Sequence, residues 1–169
     1  QIWLNHGVMS TYVRVLVADR GGGAGMAALA GAFIGPSQVA GRLLFFMGEA
    51  RVGNARATLT ALGGVVAASA ILWLAGLAPV LIFAFALAQG AGAGLMSILR
   101  PVLIADILGR QGFGAISGAV AMSPILASAA APMLGALMLT AGGPGLVYAS
   151  CLVMAVAGWG IAAVLLRGR

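Results

Sequence analysis

Four of the apolar runs carry, far from their ends, a side chain able to form directional polar contacts near one plane: His6, Gln38, Gln89 and Ser123. At 1.5 Å of helical rise per residue, Gln38 lies roughly 18 Å and Gln89 roughly 15 Å from one end of their runs, with His6 roughly 20 Å before Asp19. Ser123 reaches a similar level from the opposite end. Two amides, an imidazole and a hydroxyl near one plane can hydrogen-bond a small solute, and His6 is the only one that titrates near neutral pH. Two arginines extend this set: Arg14 close to one edge and Arg100 at the end of the run holding Gln89, each able to attract an anion. These six are the candidate binding residues.

The elements that must position them are apolar. The chain is 62% hydrophobic and 7% charged, with mean hydropathy +1.11, whereas soluble domains carry about a quarter charged residues. Runs of about 20 such residues cross roughly 30 Å of hydrocarbon as helices. The expectation is an all-α polytopic membrane protein with six spans, at about 2–18, 26–48, 57–78, 79–99, 113–141 and 146–166, the first of them truncated. Polar glycine turns at Asp19 to Gly25 and Gly142 to Gly145, and the Leu77-Ala78-Pro79 corner, separate neighbours; the fourth run is expected to continue helically through Pro101 towards Leu108. No stretch is left over for a soluble domain. The start at Gln1 suggests that an upstream part is missing.

Charge sets an expected orientation. The nine basic residues are all Arg and give a formal charge of +6 against Asp19, Glu49 and Asp106. They stand singly between apolar runs, unlike a nucleic-acid-binding stripe. Arg42, Arg51, Arg56, Arg100, Arg110, Arg167 and Arg169 fall at one set of span ends, and Arg20, beside Asp19, falls in a loop at the other. Short arginine-rich loops stay in the cytoplasm, so the C-terminus is expected there, in a bacterial inner (plasma) membrane. The three acids all lie at membrane edges, which leaves no deep carboxylate for ion coupling and puts any such duty on His6. One cysteine, Cys151, permits no internal disulfide. No catalytic constellation, cofactor motif or metal-ligand spacing is visible.

The segment Gly35 to Leu44, GPSQVAGRLL, leads into a loop with Glu49, Arg51, Gly53 and Arg56, and a later loop reads Asp106-Ile107-Leu108-Gly109-Arg110 followed by Gly112, Gly114 and Gly118. In order and spacing these resemble the loops in the C-terminal half of a major facilitator superfamily transporter, including the monocarboxylate and oxalate exchanger branches. The first loop differs from the family pattern in that its acid and base are separated, as Glu49-Ala50-Arg51. The resemblance covers nearly the whole chain. It implies two inverted three-helix repeats and alternating access by rocking against a missing N-terminal half, with solute bound near the bilayer midplane. It implies a gating or structural role for Glu49, Arg51, Arg56, Asp106 and Arg110; the last two, four residues apart, are expected to pair across a helical turn. Glycine pairs four apart, Gly31 and Gly35, Gly90 and Gly94, Gly114 and Gly118, are expected to let helices approach closely in lipid.

The function expected is secondary transport of a small solute, with an organic anion suggested by Arg14, Arg100 and the exchanger-like loop; the protein is not expected to be an enzyme. A six-span permease driven by a separate ATPase is the alternative, with residues 100–113 as its docking segment. An intramembrane serine protease is a remoter one, since Gly35-Pro36-Ser37 is followed by Gln38 where a glycine would be expected.

Overall fold

A computed structural model of the chain describes residues 1–48 and 52–167, and among these the regular structure is helical, with no strand. The helices are α1 (Ile2–Thr11), α2 (Val13–Asp19), α3 (Ala24–Gly48), α4 (Asn54–Leu74), α5 (Val80–Leu108) and α6 (Phe113–Leu165). A 3-10 turn at Ala75–Leu77, extended Ala78 and Pro79 join α4 to α5. Glu49 and Arg51 lie outside the described residues.

Four helices, α3 to α6, are long and apolar enough to cross a membrane. The longest, α6, has 53 residues; unbroken it would extend about 80 Å, far beyond roughly 30 Å of hydrocarbon. It is broken at Gly142 (φ −150°, ψ 15°) and Gly143 (φ 65°, ψ −166°). The Gly143 conformation is one that side-chain-bearing residues avoid, so the glycine pair fixes where the two arms, residues 113–141 and 144–165, part.

The first apolar run, expected as a truncated span over 2–18, is divided into α1 and α2. Tyr12 (φ −103°, ψ 13°) interrupts it between α1 and α2. Backbone bonds from Tyr12 N–H to Val8 and from Leu16 N–H to Tyr12 continue across this point, and the Tyr12 side chain is held by α6. The Tyr12 hydroxyl donates to the Pro132 carbonyl, 2.5 Å away in α6, and its ring lies so close to Gly135 that a Cβ there would collide with it.

The centre of the bundle is α5, packed between α3 and α4, while α6 packs on α1 and α4 and α2 on α3. Small residues make this possible. A Cβ on Gly90 would stand 2.5 Å from the Ile34 carbonyl oxygen, one on Gly94 would strike the Gln38 backbone, and one on Gly92 would meet Val65 at 2.8 Å. Thus α5 offers two glycines to α3 and the intervening one to α4. The other expected pairs do not work this way: Gly35, Gly114 and Gly118 have nothing within 4 Å of a Cβ position, and Gly31 makes only ordinary contact with Val13. Equal spacing leaves backbones apart where no helix crosses at that face.

Two buried apolar clusters form the core. One gathers Val8, Met9, Leu16, Leu72, Phe85 and Tyr148, and the other Phe45, Ala61, Leu62, Met96 and Leu99. The outer surface is also apolar, with Met47 85%, Leu44 68%, Val164 66% and Ile125 65% exposed. Apolar surface on this scale is what lipid would cover, and the chain has the character of an integral membrane protein.

Candidate functional site

Along α4 and α5 the two apolar clusters meet near Ser69 and Gln89. Both are fully buried, and between them sits Asn5 of α1, also fully buried. Burying an amide without partners costs a few kcal/mol, so these groups must bond to one another. Asn5 Nδ2 donates to Ser69 Oγ at 3.1 Å and to the Cys151 carbonyl oxygen at 2.7 Å. Its Oδ1 accepts from Gln89 Nε2 at 3.2 Å. Ser69 Oγ in turn donates to the Val65 carbonyl within α4 at 3.0 Å. All three hydrogen-bonding positions of Asn5 used here point to different helices, and four elements, α1, α4, α5 and α6, are joined by one side chain.

The node continues to His6. Gln89 Nε2 lies 3.4 Å from His6 Nδ1, while Gln89 Oε1 is buried with no hydrogen-bond partner. Depth along the sequence singles out His6 and Gln89, and the fold brings these two together. Asn5 and Ser69 were not among the expected residues. The available signal was their level: Asn5 adjoins His6, and Ser69 lies as deep in its run as Gln89 does in its own.

Among the described residues, the remaining candidates make no side-chain hydrogen bond to the node. Gln38 is half-buried, with its backbone against Gly94. Arg100 is half-buried, while Arg14 and Ser123 are exposed. Ser37, the serine of the protease reading, donates to the Phe33 carbonyl of its own helix at 2.7 Å, and His6 faces Gln89 instead. Among the described residues no three of His, Cys, Asp and Glu gather into a metal-binding group.

At one end of the bundle, Asn54 Nδ2 donates to Asp106 Oδ2 at 2.8 Å. This corrects the expected Asp106–Arg110 pair. Helix α5 stops at Leu108 and Gly109 (φ 84°) turns the chain away, so Arg110 never occupies the next helical turn, although it shares a cavity of about 450 Å³ with Asp106, Pro101 and Phe113. Arg56, which is exposed, borders a second cavity of about 350 Å³ with Asn54, Asp106 and Leu166. The loop before α4 and the loop after α5 therefore meet at the same end.

The opposite end has its own clasp. Tyr148 of α6 donates to the Leu16 carbonyl at 2.7 Å and lies 3.1 Å from Asp19 Oδ2. The Arg20 guanidinium covers the Tyr148 ring, 4.1 Å from its centroid, with Nε 3.5 Å from Asp19 Oδ2. A cation over an aromatic face next to a carboxylate fixes the end of α2 to the second arm of α6.

Fold and node together define a class: a membrane-type helical bundle with an uncharged polar centre. No family model, no curated protein and no solved structure matches the chain.

Proposed function

We propose that this chain is a six-span half of a secondary transporter of the major facilitator type, which moves a small organic anion by rocking against a second six-helix half. The observation that carries the reading is the node: an uncharged hydrogen-bonded centre on four helices, set between two apolar clusters. Polar side chains deep in a membrane bundle mark solute pathways more often than elsewhere, because each must be matched by a partner or by water. The break at Gly142 and Gly143 supports six crossings, since it divides α6 into two arms.

In this reading His6 and Gln38 face solute at mid-depth, with Ser123 and Arg14 on its path, and Arg100 supplies positive charge at the cytoplasmic end. Gln89 is fully buried and already bonded, so its part is to hold His6 and Asn5. Arg56, Asp106 and Arg110 belong to the cytoplasmic loops that open and close that end, with Glu49 and Arg51 between α3 and α4. The C-terminus is cytoplasmic and the membrane a bacterial inner membrane.

The test is counterflow in proteoliposomes made with the whole protein, using labelled mono- and dicarboxylates. The reading expects uptake above protein-free vesicles that falls at least tenfold in an Arg100→Gln, Gln38→Ala double variant, as loss of a charge-assisted contact of about 1.5–3 kcal/mol implies. Uptake unchanged in that variant removes the site; no carboxylate flux at all removes the anion.

A further inference from the structure

The chain of contacts from His6 to Cys151 runs outward from the Gln89 amide nitrogen, to His6 on one side and through Asn5 to Cys151 on the other. Gln89 Nε2 donates to Asn5 Oδ1 at 3.2 Å and lies 3.4 Å from His6 Nδ1, and an amide nitrogen has only hydrogens to offer that ring nitrogen. His6 Nδ1 is then an acceptor, and the hydrogen of the neutral ring resides on Nε2. Gln89 Oε1, the other end of the same amide, is buried and unpartnered. An amide that satisfies two acceptors while stranding its own oxygen is held in place by those acceptors.

We infer that His6 is a proton-binding site whose occupation reverses this chain and detaches α6 from the node. The proton comes from water and adds to the Nδ1 lone pair, so the ring carries N–H on both nitrogens. Nδ1–H then faces the Gln89 amide nitrogen, donor against donor. A half-turn of the Gln89 amide presents Oε1 to Nδ1–H, so the stranded oxygen gains a bond while the Nε2 hydrogens move into the partnerless position it leaves. That oxygen now faces Asn5 Oδ1, so the Asn5 amide turns as well: Nδ2 donates to Gln89 Oε1, and Oδ1 accepts from the Ser69 hydroxyl, which leaves the Val65 carbonyl. The same turn sets Asn5 Oδ1 against the Cys151 carbonyl oxygen with no hydrogen between them. The 2.7 Å Asn5–Cys151 bond, the node's link to α6, is therefore lost, along with the Ser69–Val65 bond inside α4.

Few other charges can answer His6. Helix α6 carries none between Phe113 and Leu165, and its titratable groups are Tyr148, bonded to Leu16 and Asp19, and Cys151. On α5 the polar group facing His6 is Gln89, with Arg100 and Asp106 further along the helix; α2 carries Arg14 and Asp19, α3 Arg42, and α4 Arg56. Among the described residues none of these acids or arginines makes a hydrogen bond or ion pair with His6. The inference requires no transported solute and stands or falls apart from the transport reading.

The experiment follows Cys151, the chain's single cysteine and fully buried, by maleimide labelling of the whole protein in lipid nanodiscs. The wild-type rate is divided by that of His6→Gln, which cancels the thiol's own pH dependence. The ratio is expected to rise about fivefold from about pH 8 to about pH 5, the range in which histidine charges, as loss of one net hydrogen bond implies. In the wild type, nitrogen-15 spectra should show the His6 ring and the Asn5 and Gln89 side-chain amides shifting with one midpoint, a result that does not depend on the variant folding. A flat ratio, amides that stay fixed while the ring charges, or a ring that stays neutral throughout this range overturns the inference.

Discussion

Gly90 and Gly94 in α5 and Gly114 and Gly118 in α6 share one spacing and have opposite surroundings. The first pair lies against the backbone of α3, at Ile34 and Gln38, while the second has nothing within 4 Å of either Cβ position. A small-residue motif permits close approach but does not supply the partner. The central slab α3–α5–α4 is interlocked, whereas the start of α6 offers a bare small-residue face. In the transport reading this face is free to slide on lipid or on the second half of the carrier.

The comparison breaks most readily at Gly94. Gly94→Val forces a branched side chain into the Gln38 backbone, and overpacking of that kind costs about 1–3 kcal/mol or more; thermal unfolding in detergent should show the largest loss of any substitution named here. Asn5→Leu ranks next. It removes the hydrogen bonds Asn5 makes to Gln89, Ser69 and Cys151, each on the scale of about 0.5–1.5 kcal/mol net, and should lower the unfolding temperature while leaving helical content intact. Tyr148→Phe removes the hydroxyl bond to Leu16 and keeps the ring beneath Arg20, so a loss of about 1 kcal/mol is expected by the same measurement. Gly118→Val is the counterpart of the first substitution and should move stability by no more than about 0.5 kcal/mol. A Gly118→Val loss as large as that of Gly94→Val would erase the distinction between the two faces.

Much of the helical layout is readable from apolar run length and turn residues. Gly142 and Gly143 mark the break in α6, and Leu77 to Pro79 the corner before α5, because glycine and proline act locally. The irregularity at Tyr12 has no such mark; its side chain is held by Pro132 and Gly135, more than a hundred residues away. Asp106 shows the same limit, since its partner is Asn54 across the bundle and not Arg110 four positions on. The centre was legible in half. Depth counting finds His6 and Gln89, but Asn5 owes its place to Ser69 and Cys151, contacts that form only once α1, α4 and α6 have packed.

The account rests on apolar helices crossing a bilayer with their arginine-bearing loops on one face, and the Asn54–Asp106 bond sets the ends of two such loops side by side. The direct test replaces Gly53 or Arg110 by cysteine in a Cys151→Ala background and labels intact and permeabilised cells with a membrane-impermeant maleimide. Both positions are predicted to react from the cytoplasmic side alone. Labelling of the two from opposite sides would contradict the arrangement of spans and the transport reading built on it.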